Sequence, residues 1–227
     1  MTYVIATSRP WHESMASRLS RSIGDQFILI RKRRELNLDD LRKINPRYIF
    51  FPHWSYIIPE EIYSNFECIV FHMTDLPYGR GGSPLQNLIA RGINETRMTA
   101  LRCVEELDAG PVYMKEPLSL QGSAEEIYIR GGRLVEDMIQ KIIDENPQPE
   151  PQSGRVVCFR RRRPEQSRIE NLETLDQLYD HIRMLDADGY PRAFLEIGRF
   201  RFEFSRAARK DRHIVADVTI TESADGS

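Results

Sequence analysis

Across the first hundred residues, short runs of β-branched and aromatic residues alternate with segments of helical character, and that alternation narrows the fold to one class. The apolar runs are TYVIATS (2–8), QFILIR (26–31), RYIFF (47–51), ECIVFH (67–72) and TRMTALRCV (96–104). Between them lie the helix candidates HESMASRLSRSI, LDDLRKI (38–44) and PLQNLIARG (84–92). Strands that alternate with helices build βαβ units and a mostly parallel sheet, buried under helices on both faces. The expected fold class is therefore α/β.

Beyond these units the hairpin-like GPVYMKEPLSL leads into a helix candidate from about Ser123 to Asp144, with acidic residues in its first turn as the helix dipole favours. NPQPEPQSG (146–154) holds three prolines and a glycine, the composition of a linker. After it come VVCF, the arginine run 160–163, a helix candidate at 173–186 and the alternating AFLEIGRFRFEFS (193–205). The expected organisation is a main domain over 1–145, a linker over 146–154 and a small α+β appendage over 155–227, with TESADGS frayed at the end.

Charge and cysteine content exclude several functions. With 32 basic and 34 acidic residues the formal charge is −2, so no global field draws the chain to nucleic acid or an anionic membrane. Cys68, Cys103 and Cys158 are too far apart for a C-x-x-C site and read as reduced, structural thiols. No basic segment followed by an apolar one opens the chain, and no apolar stretch approaches the roughly 18 residues of a membrane span. The expected location is the cytoplasm, with no membrane partner and no metal.

In an open α/β sheet, ligands bind beyond the carboxyl ends of the strands. That rule singles out Ser8-Arg9, His53-Trp54-Ser55, and His72 with the loop after it. The loop carries Asp75, Tyr78, Gly79, Arg80 and Gly81, and Ser83-Pro84 open a helix whose amides face an anion or carbonyl oxygen. It matches neither G-x-G-x-x-G nor the phosphate loop, which argues against a dinucleotide site or an NTPase. Asp108 stands before Ala-Gly-Pro, where aspartate is most often a turn former. Paired with His72 at one sheet edge, it completes the usual unit of general acid–base catalysis.

Residues 67–113 resemble the core of the folate-dependent formyltransferases, a family that includes transferases acting on methionyl-tRNA, on glycinamide ribonucleotide and on nucleotide sugars. The resemblance is carried by Val70-Phe71-His72, Thr74-Asp75-Leu76-Pro77, Tyr78-Gly79-Arg80-Gly81, Pro84-Leu85-Gln86 and Leu107-Asp108-Ala109-Gly110. HWSYIIPEEI (53–62) is similar to the family's cofactor loop, and RRRRPEQSRI, IRMLD and YPRAF are more weakly similar to the start of its C-terminal region. The resemblance implies a Rossmann-like fold and formyl transfer from 10-formyl-tetrahydrofolate to an amine, with His72 and Asp108 as catalytic residues. It implies a pteridine site at Trp54, Ser55, Ile58, Cys103, Val104, Glu105, Leu107 and Asp108. Arg9 and Arg80 are candidate substrate contacts because guanidinium forks fit phosphate oxygens, with Asp75, Tyr78, Gly79 and Gly81 of the glycine loop beside them. One departure stands out: the family's catalytic Asn, two residues before the His, is Val70 here, and valine offers no hydrogen bond to an oxyanion. His53 is the first candidate to replace it, with Ser55 and Thr74 next.

The chain ends soon after its appendage, its net charge is small, and Arg160–Arg163 read as a solvated or internally paired face. On those grounds the expected acceptor is a UDP- or dTDP-linked amino sugar, a 4-amino-4,6-dideoxy sugar of the pseudaminic acid kind, with no nucleic-acid partner and a homodimer through the 193–205 strands. The alternatives are a methionyl-tRNA formyltransferase-like enzyme and a folate-binding relative without turnover. A metal-dependent hydrolase using His53 and His72 lacks a third ligand.

Overall fold

A computed structural model gives the structure of residues 1–222, apart from the Trp11 side chain. Among the described residues eleven strands and six α-helices are formed: β1 (Thr2–Ala6), α1 (Met15–Ile23), β2 (Gln26–Ile30), α2 (Leu38–Ile44), β3 (Ile49–Pro52), α3 (Glu60–Tyr63), β4 (Cys68–His72), β5 (Tyr78–Gly81), α4 (Pro84–Ile89), β6 (Glu95–Arg102), β7 (Val112–Ser119), α5 (Ala124–Glu145), β8 (Val157–Phe159), α6 (Leu175–Arg183), β9 (Ala193–Ile197), β10 (Phe200–Arg209) and β11 (Ile214–Glu222). They fold as two compact units. One comprises Met1–Gly81, Thr96–Leu118 and Ile129–Cys158; the other comprises Gly82–Glu95, Ser119–Tyr128 and the chain from Phe159 onward.

The first unit is built on a six-stranded sheet in the order β2-β1-β3-β4-β6-β7. β2, β1, β3 and β4 run parallel, as the unbroken apolar runs demand of strands buried on both faces. Alternate residues sort to opposite sides. Val4, Ala6, Ile49, Phe51 and Cys68 pack with Leu41 of α2 and Ile62 of α3, while Tyr3, Phe50 and Phe71 form ring contacts on the other side. α1 and α5 add Met15, Leu19, Met138 and Ile139 to the core and meet through the Arg18–Glu136 ion pair, 2.6 Å. This is the mostly parallel α/β sheet expected from the sequence.

β6 departs from that plan. It runs antiparallel to β4, with His72 opposite Thr99 and Ile69 opposite Arg102. Its carboxyl end therefore lies beside the start of β4, where the Cys103 amide donates to the Cys68 carbonyl at 2.8 Å. A polar cluster fastens that end of the sheet: Glu67 accepts from Arg47 at 2.7 Å, Arg102 at 2.8 Å and the Tyr113 hydroxyl at 2.6 Å. Burial pushes the Glu67 carboxyl up, but the bonds from Tyr113, Arg47 and Arg102 outweigh it and leave its pKa below the ordinary 4.5. A depressed carboxylate contributes stability that is present above its unfolded value and lost as pH falls through the folded one. Glu67→Gln is thus expected to melt below the wild type at neutral pH, with the difference shrinking once the pH drops under about 4.5. A constant difference from pH 7 to pH 3 would refute this account of the cluster.

In the second unit β9, β10 and β11 form an antiparallel sheet in the order β11-β10-β9. The Gln86 amide of α4 is buried and donates to the Tyr128 hydroxyl and the Met184 carbonyl, both at 3.1 Å. Arg183 donates to the Gly122 carbonyl at 3.0 Å. α6 starts on a capping box in which Thr174 accepts from the Gln177 amide. Thr221 and Glu222, expected to fray, belong to β11; residues 223–227 lie outside the described residues.

Candidate active site

The edge formed by the carboxyl ends of β1, β3 and β4 gathers the residues that the topology singles out. β4 ends on His72, whose side chain is 9% exposed and faces Asp108, 8% exposed, with Nδ1 3.5 Å from Oδ2. Asp108 does not come from a neighbouring strand end, as the parallel-sheet argument supposed. β6 is antiparallel, so the chain turns at Cys103 and brings Asp108 to His72 along the 103–111 loop. Asp108 takes the left-handed conformation, φ +54°.

The glycine loop, folded as the short strand β5, completes the arrangement. His72 Nε2 lies 2.8 Å from the Gly79 carbonyl. A carbonyl only accepts, so Nε2 carries the proton and donates, and Nδ1 is the nitrogen that faces Asp108. The Gly81 amide donates to Asp108 Oδ2 at 2.9 Å, from a residue at φ +102° that suits glycine. Behind this ring the fully buried Thr74 donates to the same Gly79 carbonyl at 3.4 Å, and Thr99 donates to the Thr74 carbonyl at 2.6 Å. Loop and dyad are thus fixed from both sides.

His53 sits in a second cluster, at the ends of β1 and β3. Its backbone is left-handed, φ +54°, and its carbonyl accepts from the Ser8 hydroxyl at 2.9 Å. Ser8 and Ser55 are joined hydroxyl to hydroxyl at 2.9 Å. The His53 ring lies 6.5 Å from that of His12. Burial, then the charges of Arg9 and His12, push His53 down to about 3; burial chiefly pushes His12 down to about 4. Both rings are neutral around pH 7. His12 was not visible as a site residue in the sequence, yet it is 4% exposed and its Nδ1 lies 3.0 Å from the Thr7 hydroxyl, which accepts from the Arg9 amide at 3.3 Å.

The residues expected to wall a pteridine come together only in part. Ile58 is a member of the apolar cluster on the α2/α3 side, with Trp54, Cys103 and Val70 packed against it. Trp54 meets Phe51 and Tyr56 edge-on, and its buried Nε1 has no hydrogen-bond partner among the described residues. Burial pushes the Cys103 thiol up to about 11. Val104 is half-buried, while Glu105 and Leu107 are exposed. Val70 lies within β4 opposite Leu101, so the position of the family's Asn is filled by an apolar contact.

Of the expected substrate contacts, Asp75 pairs with Lys115 at 2.6 Å and Arg97 at 3.7 Å. Tyr78 is half-buried in β5. Arg80 donates to Glu106 at 2.9 Å and twice to Gln152, at 3.2 and 2.9 Å. α4 has six residues, and its N-cap Ser83 accepts from the Arg162 amide at 3.0 Å. Among the described residues no group of three or more His, Cys, Asp or Glu is placed to hold a metal ion, and no helix is long and apolar enough to cross a membrane.

Comparison with known proteins places this geometry. The family model described as formyl transferase matches residues 24–136, and that described as methionyl-tRNA formyltransferase, C-terminal domain, matches residues 164–221. A solved methionyl-tRNA formyltransferase from Clostridium thermocellum is 46% identical, with a TM-score of 0.95 over 98% of this chain and 100% of that one. The chain belongs to the formyltransferase family. A methionyl-tRNA formyltransferase of Bacillus pumilus is 26% identical over 168 residues, 70% of this family member but 52% of the relative, so the chain spans about half the length of the curated relatives it matches. A sugar N-formyltransferase from Shewanella covers 99% of both chains at 16% identity and a TM-score of 0.65, a likeness of fold alone.

These findings overturn the nucleotide-sugar acceptor and the exclusion of nucleic acid. That expectation rested on where the chain ends and on a small net charge. The 164–221 match assigns the supposed appendage to the C-terminal domain of methionyl-tRNA formyltransferases. Net charge, a sum over the whole surface, says nothing of a local patch. Arg160, Arg161 and Arg163 are exposed, and no ion pair holds any of Arg160–Arg163 among the described residues. Of the two forms expected for the run, the solvated face is the one the structure shows.

Proposed function

We propose that this protein transfers a formyl group from 10-formyl-tetrahydrofolate to the amino group of an aminoacyl-tRNA, with methionyl-tRNA as the acceptor. The observation that carries the reading is the 46% identity to a methionyl-tRNA formyltransferase along the full length of both chains. The chemistry of the site fits a formylated pteridine. The apolar wall of Trp54, Ile58, Val70 and Cys103 suits a flat ring, and the unpartnered Trp54 N–H offers it a donor.

When bound, the folate would supply an activated formyl carbon and depart as tetrahydrofolate, its nitrogen regaining the proton that the amine gives up. Because Nε2 of His72 is committed to the Gly79 carbonyl, the proton lost by the attacking amine is taken at the Nδ1–Asp108 side of the ring. The 3.5 Å separation there is longer than a hydrogen bond, a gap that shortens when an imidazolium forms against the carboxylate. Asp108, oriented by the Gly81 amide, stabilises that imidazolium and sets its direction.

The test is incubation with 10-formyl-tetrahydrofolate and methionyl-tRNA, followed by mass analysis of the released amino acid. A gain of one formyl group is expected; no gain from any charged tRNA would refute the reading. The exposed arginines give a second check. Replacing Arg160, Arg161 and Arg163 with alanine is expected to flatten the dependence of log Kd for tRNA on log salt by about 0.7–0.9 per lost phosphate contact. In these variants kcat at saturating tRNA is unchanged and KM rises. An unchanged salt slope would remove the run from the RNA interface.

A further inference from the structure

Gln152 lies in the proline-rich segment that the sequence marks only as a linker, yet all four hydrogen-bonding positions of its amide are used. Its carbonyl oxygen accepts from Arg80 Nε at 3.2 Å and from a terminal nitrogen at 2.9 Å. Its NH2 donates to the Asp108 carbonyl and the Gly110 carbonyl, both at 2.8 Å. The orientation of the amide is fixed by chemistry, since arginine only donates and backbone carbonyls only accept. The segment is itself anchored: Glu150 and Val112 exchange both backbone bonds, at 2.7 and 2.9 Å, and Gly154 approaches Pro77.

We infer that Gln152 is a positioning residue for the His72–Asp108 dyad, clasping the glycine loop to the loop that carries Asp108. Besides the Arg80–Glu106 ion pair at 2.9 Å, two sets of bonds hold those loops to each other and to His72 of β4. On the inside the Gly79 carbonyl holds His72 and the Gly81 amide holds Asp108. On the outside Arg80, between those two glycines, is tied through Gln152 to the backbone of Asp108 itself. Asp108 is in the left-handed conformation, which costs energy for a residue with a Cβ even though aspartate tolerates it better than most, so a fixed partner at its carbonyl helps to hold it. The Gln152 NH2 is that partner, and it sets the distance from Oδ2 to Nδ1. As a catalytic role this rests on the proposed formyl transfer; as a structural coupling it does not.

Gln152→Glu tests positioning, read at temperatures where the variant is folded. The carboxylate keeps two oxygens for Arg80, so the strap stays attached, but it loses both donors to the Asp108 and Gly110 carbonyls. Gln148→Ala, an exposed change in the same segment, is the control. The expected result for Gln152→Glu, measured at temperatures where the variant is folded, is a fall in kcat of about 10- to 100-fold with KM for folate and tRNA unchanged; a carboxylate oxygen facing two carbonyls also lowers the melting temperature. The His72 ring nitrogen resonances are expected to shift in the NMR spectrum of the same variant, while Gln148→Ala changes neither readout. Wild-type kcat, or a lowered kcat with unmoved His72 resonances, overturns the inference. Should the wild type transfer no formyl group to methionyl-tRNA, the functional reading fails, and the His72 resonances alone decide the clasp: a shift upholds it and no shift overturns it.

Discussion

Replacing His72 with alanine, or Asp108 with asparagine, is expected to lower kcat/KM for formyl transfer by about 10²- to 10⁴-fold, the range for losing a positioned acid–base group. His72→Ala removes the group proposed to accept the amine proton. Asp108→Asn keeps the shape but loses the charge that stabilises a protonated His72, and it places a possible NH2 where Oδ2 now accepts from the Gly81 amide. The two changes act on one unit, so the double variant is expected to be little worse than either single one. Steady-state kinetics on the three proteins checks this. Effects that multiply in the double variant would show that the two residues work independently, and a His72→Ala enzyme within tenfold of wild type would take the chemistry away from this dyad.

Gly110→Ala is expected to destabilise the fold by about 3 kcal/mol, the upper end for forcing an atom into a packed site. A Cβ at this position would stand 1.8 Å from the Arg102 carbonyl oxygen, and the obstacle is backbone rather than the tip of a flexible side chain. Relief requires the 103–111 loop to move away from β6, which carries Asp108 with it. The melting temperature should fall by about 6–12 °C for a chain of this length. At temperatures where the variant is folded, formyl transfer should be impaired as well. A melting temperature within a degree or two of wild type would mean that the loop adjusts freely, and the rigidity argued for Asp108 would go with it.

The residues that were legible in the sequence are those whose roles are local. Continuous apolar runs announced β1 to β4, and His72 at the end of such a run marked the edge where Asp108 and the glycine loop converge. The reversal of β6 was not legible. Nothing in TRMTALRCV states its direction, because direction within a sheet depends on where the neighbouring chain returns. Gln152 was hidden for a related reason: prolines and glycine declare a turn-rich segment, but the partners of its one amide are set 44 and 72 positions away, at Asp108 and Arg80. Net charge was a poor guide to the partner, because a charge count sums the surface while a polyanion samples only the patch it touches. β11 is also written in alternation, in IVADVTITE, but its apolar residues Val215, Val218 and Ile220 are exposed, so burial gives no reason to expect a strand there.

The reversal of β6 places an unusual demand on the loop that follows it. The chain leaves the sheet beside Cys68 and must deliver one carboxylate to the far end of the same strand, so the distance to be covered is set by β4 and not by the loop. An extended residue advances about 3.3 Å, a length comparable to the whole His72–Asp108 separation. Inserting or deleting a single residue between Cys103 and Asp108 would therefore displace the carboxylate by as much as the gap it works across, whereas exchanging exposed Glu105 or Leu107 for another side chain leaves the span intact. Here the number of residues is held more strictly than their kind, and a search for altered relatives of this site should count before it compares.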